Sequence, residues 1–226
     1  MSFDIPSGTV HGVVGENGAG KSTLINIISG SILSDEGSMT IDGKQLSPKS
    51  PLEAREAGIS VVHQEFPQCE HMTVGENLFL GPKPLGGRGF LSRSKINQRA
   101  QDVLDRAQIE LNASDKLESL TVGQKQLVEI ARAVSLGAKL VIMDEPTSAL
   151  TELEARLLFK IIANLKNSGI SVIYVSHRMR EIFQLCDSVS VLRDGFHVDT
   201  STINDLTPSK VVSLMVGREV DTFYPS

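Results

Sequence analysis

Gly15-Glu16-Asn17-Gly18-Ala19-Gly20-Lys21-Ser22-Thr23 sets glycines, a lysine and hydroxyls at the spacing G-x-x-x-x-G-K-[ST], the pattern of a loop that cradles phosphates. Val10-His11-Gly12-Val13-Val14 before it reads as a buried strand, and Leu24-Ile25-Asn26-Ile27-Ile28 after it as a helix. Strand, glycine-rich turn and helix are the context this pattern requires. The glycines let the backbone curl until successive N–H groups point inward at phosphate oxygens, and the helix that starts there adds the positive end of its dipole. The segment is therefore expected to hold a nucleoside triphosphate, with Lys21 reaching the β- and γ-phosphates and the Ser22 hydroxyl on Mg²⁺.

Asp144-Glu145 closes the apolar run Leu140-Val141-Ile142-Met143, at the strand end where α/β sheets place their ligands. Asp144 is suited to hold Mg²⁺ through water, since the hard cation takes oxygen ligands and keeps part of its hydration shell. Glu145 beside it can polarise an attacking water. His177 follows the next buried strand, Val172-Ile173-Tyr174-Val175, and is expected beside Glu145, where a neutral imidazole can bond the γ-phosphate and hold the water. Gln64 follows the strand Ile59-Ser60-Val61-Val62; its amide can serve Mg²⁺ or the attacking water. Leu120-Thr121-Val122-Gly123-Gln124 precedes a further helix and offers a hydroxyl and free amides, the makings of an anion site. That second site is expected to lie away from the first loop, which points to two such domains sandwiching the nucleotide.

These residues must be carried by alternating strands and helices. Gly37 to Ile41 reads as a short strand closed by Asp42-Gly43, a hairpin turn pair. Ser50-Pro51-Leu52-Glu53 and Thr73-Val74-Gly75-Glu76 carry helix-start signals, the second opening a short helix through Leu80. Gly81 to Gly89 reads as loop. Ile96, Ala100, Val103, Leu104 and Ala107 fall on one helical face, and Leu127, Val128, Ile130, Ala131 and Val134 on another. Thr151 and Glu154 cap a helix with an expected core face of Leu153, Leu157, Leu158, Ile161, Ile162 and Leu165. Ser188 to Arg193 and Phe196 to Thr200 read as a hairpin around Asp194-Gly195, and Thr207-Pro208 starts a last helix. The fold class is α/β, with a core over residues 1–64 and 136–226 and a helical subdomain inserted at about 65–135. Met1-Ser2-Phe3-Asp4-Ile5 reads as the tail of a strand, so the chain is expected to be truncated at its amino terminus.

Composition narrows the function. A net charge of −5 with no basic run argues against nucleic acid as a partner. No apolar stretch is long enough to span a bilayer, and no signal peptide opens the chain. Cys69 and Cys186 stand apart and read as reduced thiols of a cytosolic protein, and the five histidines have no zinc-ligand spacing.

In order, the phosphate loop, Gln64, Leu120-Thr121-Val122-Gly123-Gln124, Asp144-Glu145, Ser148-Ala149-Leu150 and His177 resemble the ATPase subunit of ATP-binding-cassette (ABC) transporters, over essentially the whole chain. Val128-Glu129-Ile130-Ala131-Arg132-Ala133, Ser176-His177-Arg178-Met179 and Val191-Leu192-Arg193-Asp194-Gly195 are similar to the importers of ribose, galactose, xylose and related monosaccharides. In that group two cassettes share one chain, and Met215-Val216-Gly217-Arg218 resembles the close of the first.

The resemblance implies a P-loop core of mixed, mainly parallel sheet with an antiparallel β subdomain and the helical insert. It implies one ATP and Mg²⁺ served by Lys21, Ser22, Gln64, Asp144, Glu145 and His177. Thr121, Gly123 and Gln124 would close over ATP held by an opposing cassette. It implies integral-membrane permease subunits docking near Gln64, an extracytoplasmic sugar-binding protein acting indirectly, and a peripheral place on the cytoplasmic face of the membrane. Thr121 and Val122 stand where Ser and Gly are commonest, and Thr151 where many cassettes have Asp. The first strand, with the aromatic residue that stacks on adenine, is not matched, and Met1 stands where relatives tend to have Val. A non-transport cassette acting on DNA or ribosomes and a non-hydrolysing half that acts only with a partner are the rival readings.

Overall fold

The computed structural model describes residues 1–62, 68–80 and 92–218. Its strands are β1 (Val10–Gly15), β2 (Met39–Ile41), β3 (Lys44–Leu46), β4 (Ile59–Val62), β5 (Leu140–Asp144), β6 (Ser171–Val175), β7 (Ser188–Arg193) and β8 (Phe196–Thr202). The helices are α1 (Lys21–Ile28), α2 (Pro51–Glu56), α3 (Val74–Leu78), α4 (Arg93–Arg106), α5 (Val122–Ser135), α6 (Glu152–Asn167), α7 (Met179–Leu185) and α8 (Pro208–Val216).

The main sheet has the order β4-β5-β6-β1-β7-β8. All its neighbours run parallel except β8, which returns antiparallel from β7. The central strands are covered on both faces, which is why they read as unbroken apolar runs. Side chains alternate between two cores. Val10, Val14, Val141, Met143, Val172 and Tyr174 face one side, with residues of α3 to α8. Val13, Ile142, Ile173 and Val175 face the other, with Ile25 and Ile28 of α1 and Ala54 of α2. β2 and β3 form a separate antiparallel pair. Both hairpins turn on Asp-Gly with positive φ at each residue, 50° and 73° at Asp42 and Gly43, 52° and 80° at Asp194 and Gly195, as a tight primed turn demands.

Among the described residues, three helix starts carry a full capping box: Thr73 with Glu76, Thr121 with Gln124, and Thr151 with Glu154. Helices α3, α4 and α5 pack on one another through Val74, Leu78, Ala100, Leu104, Leu127 and Val128. Ala100, Leu104 and Ala107 are buried as expected, with Val103 packed beside them.

Two expectations are corrected. Leu153 and Leu157 of α6 are 70% and 41% exposed, while Leu158, Ile161, Ile162 and Leu165 are buried. At about 100° per residue, the buried stripe centres between the last four, and Leu153 lies roughly 130° from that centre. Met1 to Ile5 belongs to no strand. It is held instead by Phe3, whose ring stacks on His11 at 5.2 Å and an interplanar angle of 6°. The expected loop from Gly81 to Gly89 lies outside the described residues.

Candidate functional site

The turn from β1 to α1 is shaped by positions that need glycine. Gly18 has φ of 86° and Gly20 of 100°, a region an L side chain enters only with strain. Gly20 is also the N-cap of α1, and no side chain caps that helix. Its first N–H groups therefore look for an acceptor at the loop. Lys21 Nζ donates to the carbonyls of Gly15, at 2.7 Å, and Glu16, at 3.0 Å, which ties the lysine to the curl it follows. Asn17, Gly18, Gly20, Lys21, Ser22, Thr23, Asp144 and Glu145 line one cleft of about 330 Å³. The phosphate loop and the acids at the end of β5, far apart in sequence, thus share a single concavity.

Gly15 is where the loop leaves the sheet. A Cβ there would stand 2.5 Å from the carbonyl oxygen of Leu192 and 2.9 Å from Ala19 Cβ. Gly15→Ala is expected to cost about 1–3 kcal/mol, the range for overpacking. Urea denaturation checks this, and an unchanged midpoint would contradict the close approach.

β5 and β6 bring the two candidate catalytic groups together. Asp144 pairs in register with Val175, and the Glu145 amide donates to Val175 O at 2.8 Å. Glu145 itself has φ of 46°, a conformation that costs a non-glycine residue on the order of 1 kcal/mol and concentrates at functional sites. This turn sends its carboxylate to His177, with Oε1 2.9 Å from Nδ1. The expected neighbourhood of Glu145 and His177 is present. Gln64 lies outside the described residues.

Thr121, Gly123 and Gln124 sit at the start of α5 and line no part of that cleft. Gln124 N donates to Thr121 Oγ1 at 3.2 Å, and Thr121 N to Gln124 Oε1 at 3.0 Å. Across this helix start lies a carboxylate that sequence reasoning assigned only to the cap of α6. Glu154 accepts from Thr121 Oγ1 at 2.6 Å, and from Thr151 N and Oγ1 at 2.9 and 2.8 Å. The Thr121 hydroxyl, then the Thr151 amide and hydroxyl, hold the Glu154 carboxyl below its usual range, with the Gly123 amide contributing. A Cβ on Gly123 would meet Glu154 Cδ at 2.6 Å, so any larger residue there must displace the Glu154 carboxylate from its place over the helix start. A second cleft of about 270 Å³ runs along this edge, lined by Gln68, Glu70, Val122, Lys125 and Ser148 among others.

A glycine-bounded loop opening a helix, acids at the neighbouring strand end and a mainly parallel sheet define a P-loop nucleotide-binding domain. The chain belongs to the ABC transporter family, whose pattern matches residues 1–148. It is 45% identical over 225 residues to the ribose import ATP-binding protein RbsA of Bacillus licheniformis, with 100% of this chain and 46% of that protein covered. It therefore spans about half the length of the curated relatives it matches. Among solved structures, it resembles the ADP conformation of an ATP-binding cassette of an ABC transporter, with TM-score 0.78 and 30% identity over 94% of this chain and 89% of that one. It also resembles a dimeric post-hydrolysis cassette bound to ADP and Pi, with TM-score 0.71 and 28% identity over 89% and 88% of the two chains.

Proposed function

We propose that this chain is an ATP-binding and hydrolysing cassette that energises import of a simple sugar through a membrane permease. The observation that carries it is the Glu145–His177 pair, at 2.9 Å, standing at the strand ends beside the phosphate-loop cleft. In this reading the amides from Glu16 to Thr23 and the ammonium of Lys21 hold the triphosphate. Glu145 takes the proton of the attacking water as the terminal phosphorus–oxygen bond to ADP breaks, and His177 fixes the carboxylate and the γ-phosphate relative to each other.

Ser22 and Asp144 line the same cleft and offer hard oxygen donors, so the residues present fit Mg²⁺. Bound there, Mg²⁺ would neutralise phosphate charge; Gln64 is the third group assigned to it. Thr121, Gly123 and Gln124, outside this chain's own cleft, would meet ATP on a second cassette. The helical segment at about 65–135 would carry that edge and the docking face for the permease, on the cytoplasmic side of the membrane. Among the described residues no helix is long and apolar enough to cross a membrane. The similarity to a ribose import ATP-binding protein supports import of a simple sugar as the process energised, with an extracytoplasmic binding protein acting indirectly.

Steady-state ATP hydrolysis over a range of protein concentrations tests this. A rate that rises faster than linearly means that two copies complete each other's sites. ATP bound without hydrolysis at any concentration favours the second reading, a half that works only with a partner cassette; the placement of Thr121 and Gly123 outside the cleft is what keeps that reading in view.

A further inference from the structure

Glu181, on α7, is a buried carboxylate, 8% exposed, that the roles above do not use. Burying a charge among apolar residues is costly unless it is fully hydrogen-bonded. Here every donor comes from a segment flanking the candidate catalytic pair. Thr147 Oγ1 lies 2.8 Å from Oε1 and 2.9 Å from Oε2. Tyr174 Oη donates to Oε2 at 2.7 Å and Ser176 Oγ at 3.1 Å. Arg178 Nη1 reaches Oε1 at 3.3 Å, and Arg178 N closes the loop on Ser176 Oγ at 3.0 Å.

Thr147 stands two residues after Glu145, and Ser176 and Arg178 bracket His177. The two turns follow different strands; the Glu145–His177 contact joins them at the surface, and Glu181 joins them a second time from the buried side. We infer that Glu181 is a positioning residue for hydrolysis: it clamps the turn after β5 to the turn after β6 and so sets the approach of Glu145 to His177. The inference rests on the ATPase reading for its catalytic consequence, and on geometry alone for the clamp. Burial and the bond to Glu181 push the Tyr174 phenol far above its ordinary range, so it remains a donor at any pH the protein meets. A fully satisfied buried network of this kind specifies one arrangement of the segments it joins. Glutamine at position 181 keeps the shape, yet turns one acceptor into an N–H₂ group facing hydroxyl donors.

The test uses the full chain as wild type, Glu181→Gln, Thr147→Val and Ser176→Ala, with two readouts. The first is kcat against KM for ATP. The second is the NMR signal of the His177 ring and its response to Glu145→Gln placed in each background. Glu181→Gln is expected to lower kcat by about 10–100-fold, as misplacement of a catalytic group does. KM should stay within about twofold, because the phosphate loop is untouched. Glu145→Gln should move the His177 signal in the wild type and leave it unmoved in Glu181→Gln.

An unchanged kcat with the His177 response retained overturns the inference, as does a KM that rises with kcat unchanged. If Glu181→Gln does not fold, the two donor variants decide: wild-type kcat and His177 response in both would overturn it, a loss in either supports it. A wild-type chain without hydrolysis overturns the ATPase reading for the chain alone, while the NMR readout still decides the clamp.

Discussion

Glu145→Gln is expected to lower ATP hydrolysis by about 10²–10⁴-fold, the usual contribution of a positioned general base, with ATP affinity retained. The substitution is close to isosteric. Glutamine can keep the 2.9 Å contact with His177, and the Glu145 amide bond to Val175 is made by backbone alone. What disappears is the capacity to take a proton. Stability should therefore change by less than about 0.5 kcal/mol, as for substitutions that leave packing and backbone alone. Single-turnover hydrolysis beside an equilibrium measurement of ATP binding separates the two effects. A variant that hydrolyses at the wild-type rate would remove Glu145 from the mechanism. One that no longer binds ATP would make its role structural.

The second large effect is on stability against pH, and it comes from His11. Its ring is fully buried in β1 under Phe3. Nδ1 lies 2.7 Å from Ser188 Oγ and Nε2 2.8 Å from Ser190 Oγ, both on β7. A neutral ring suits both hydroxyls, one nitrogen donating and the other accepting. Burial first, and His197 second, lower its pKa from 6.5 to about 4. Between those values the unfolded chain takes up a proton that the folded chain refuses. Stability from this residue is thus complete above pH 6.5 and is lost as pH falls, at about 1.4 kcal/mol per pH unit and about 3 kcal/mol in all. Glu76 and Glu154 are also held low, but a carboxylate with a lowered pKa is lost only below its unfolded value, 4.5 for both. Urea denaturation between about pH 5 and 7 isolates the histidine. His11→Gln should flatten the slope there, and a variant with the same slope would place its cause elsewhere.

The parts of the site legible in the sequence are those whose chemistry is local. Gly18 and Gly20 announce a backbone that only glycine adopts, and Lys21 and Ser22 follow at fixed distance. Asp144, Glu145 and His177 were readable because a buried strand places whatever follows it at one edge of the sheet. Thr73 with Glu76 and Thr151 with Glu154 are caps closed within four residues, so spacing alone finds them. Glu181 was not readable, because its partners Thr147 and Tyr174 meet it only once α7 packs across two strand ends. Glu154 was half readable: its bond to Thr151 is local, its bond to Thr121 spans two helices. Leu153 and Leu157 misled because their four-residue spacing looks like a helical face, yet at about 100° per residue that face is turned away from the stripe centred on Leu158, Ile161, Ile162 and Leu165. His11 hid inside an apolar strand, since nothing in its neighbours signals that serines from β7 will meet both ring nitrogens.

Glu154 has one more consequence. One of its oxygens completes the first turn of α6 through Thr151, and the other reaches Thr121 at the first turn of α5. The two helices therefore share a single terminus group. Fraying of α6 removes the acceptor of the Thr121 hydroxyl, and fraying of α5 removes a donor from Glu154, so the two helix starts open as one cooperative unit rather than as independent ends. Rotation of α5 against α6 is likewise not a free hinge movement. It begins only when that carboxylate exchanges its donors for solvent.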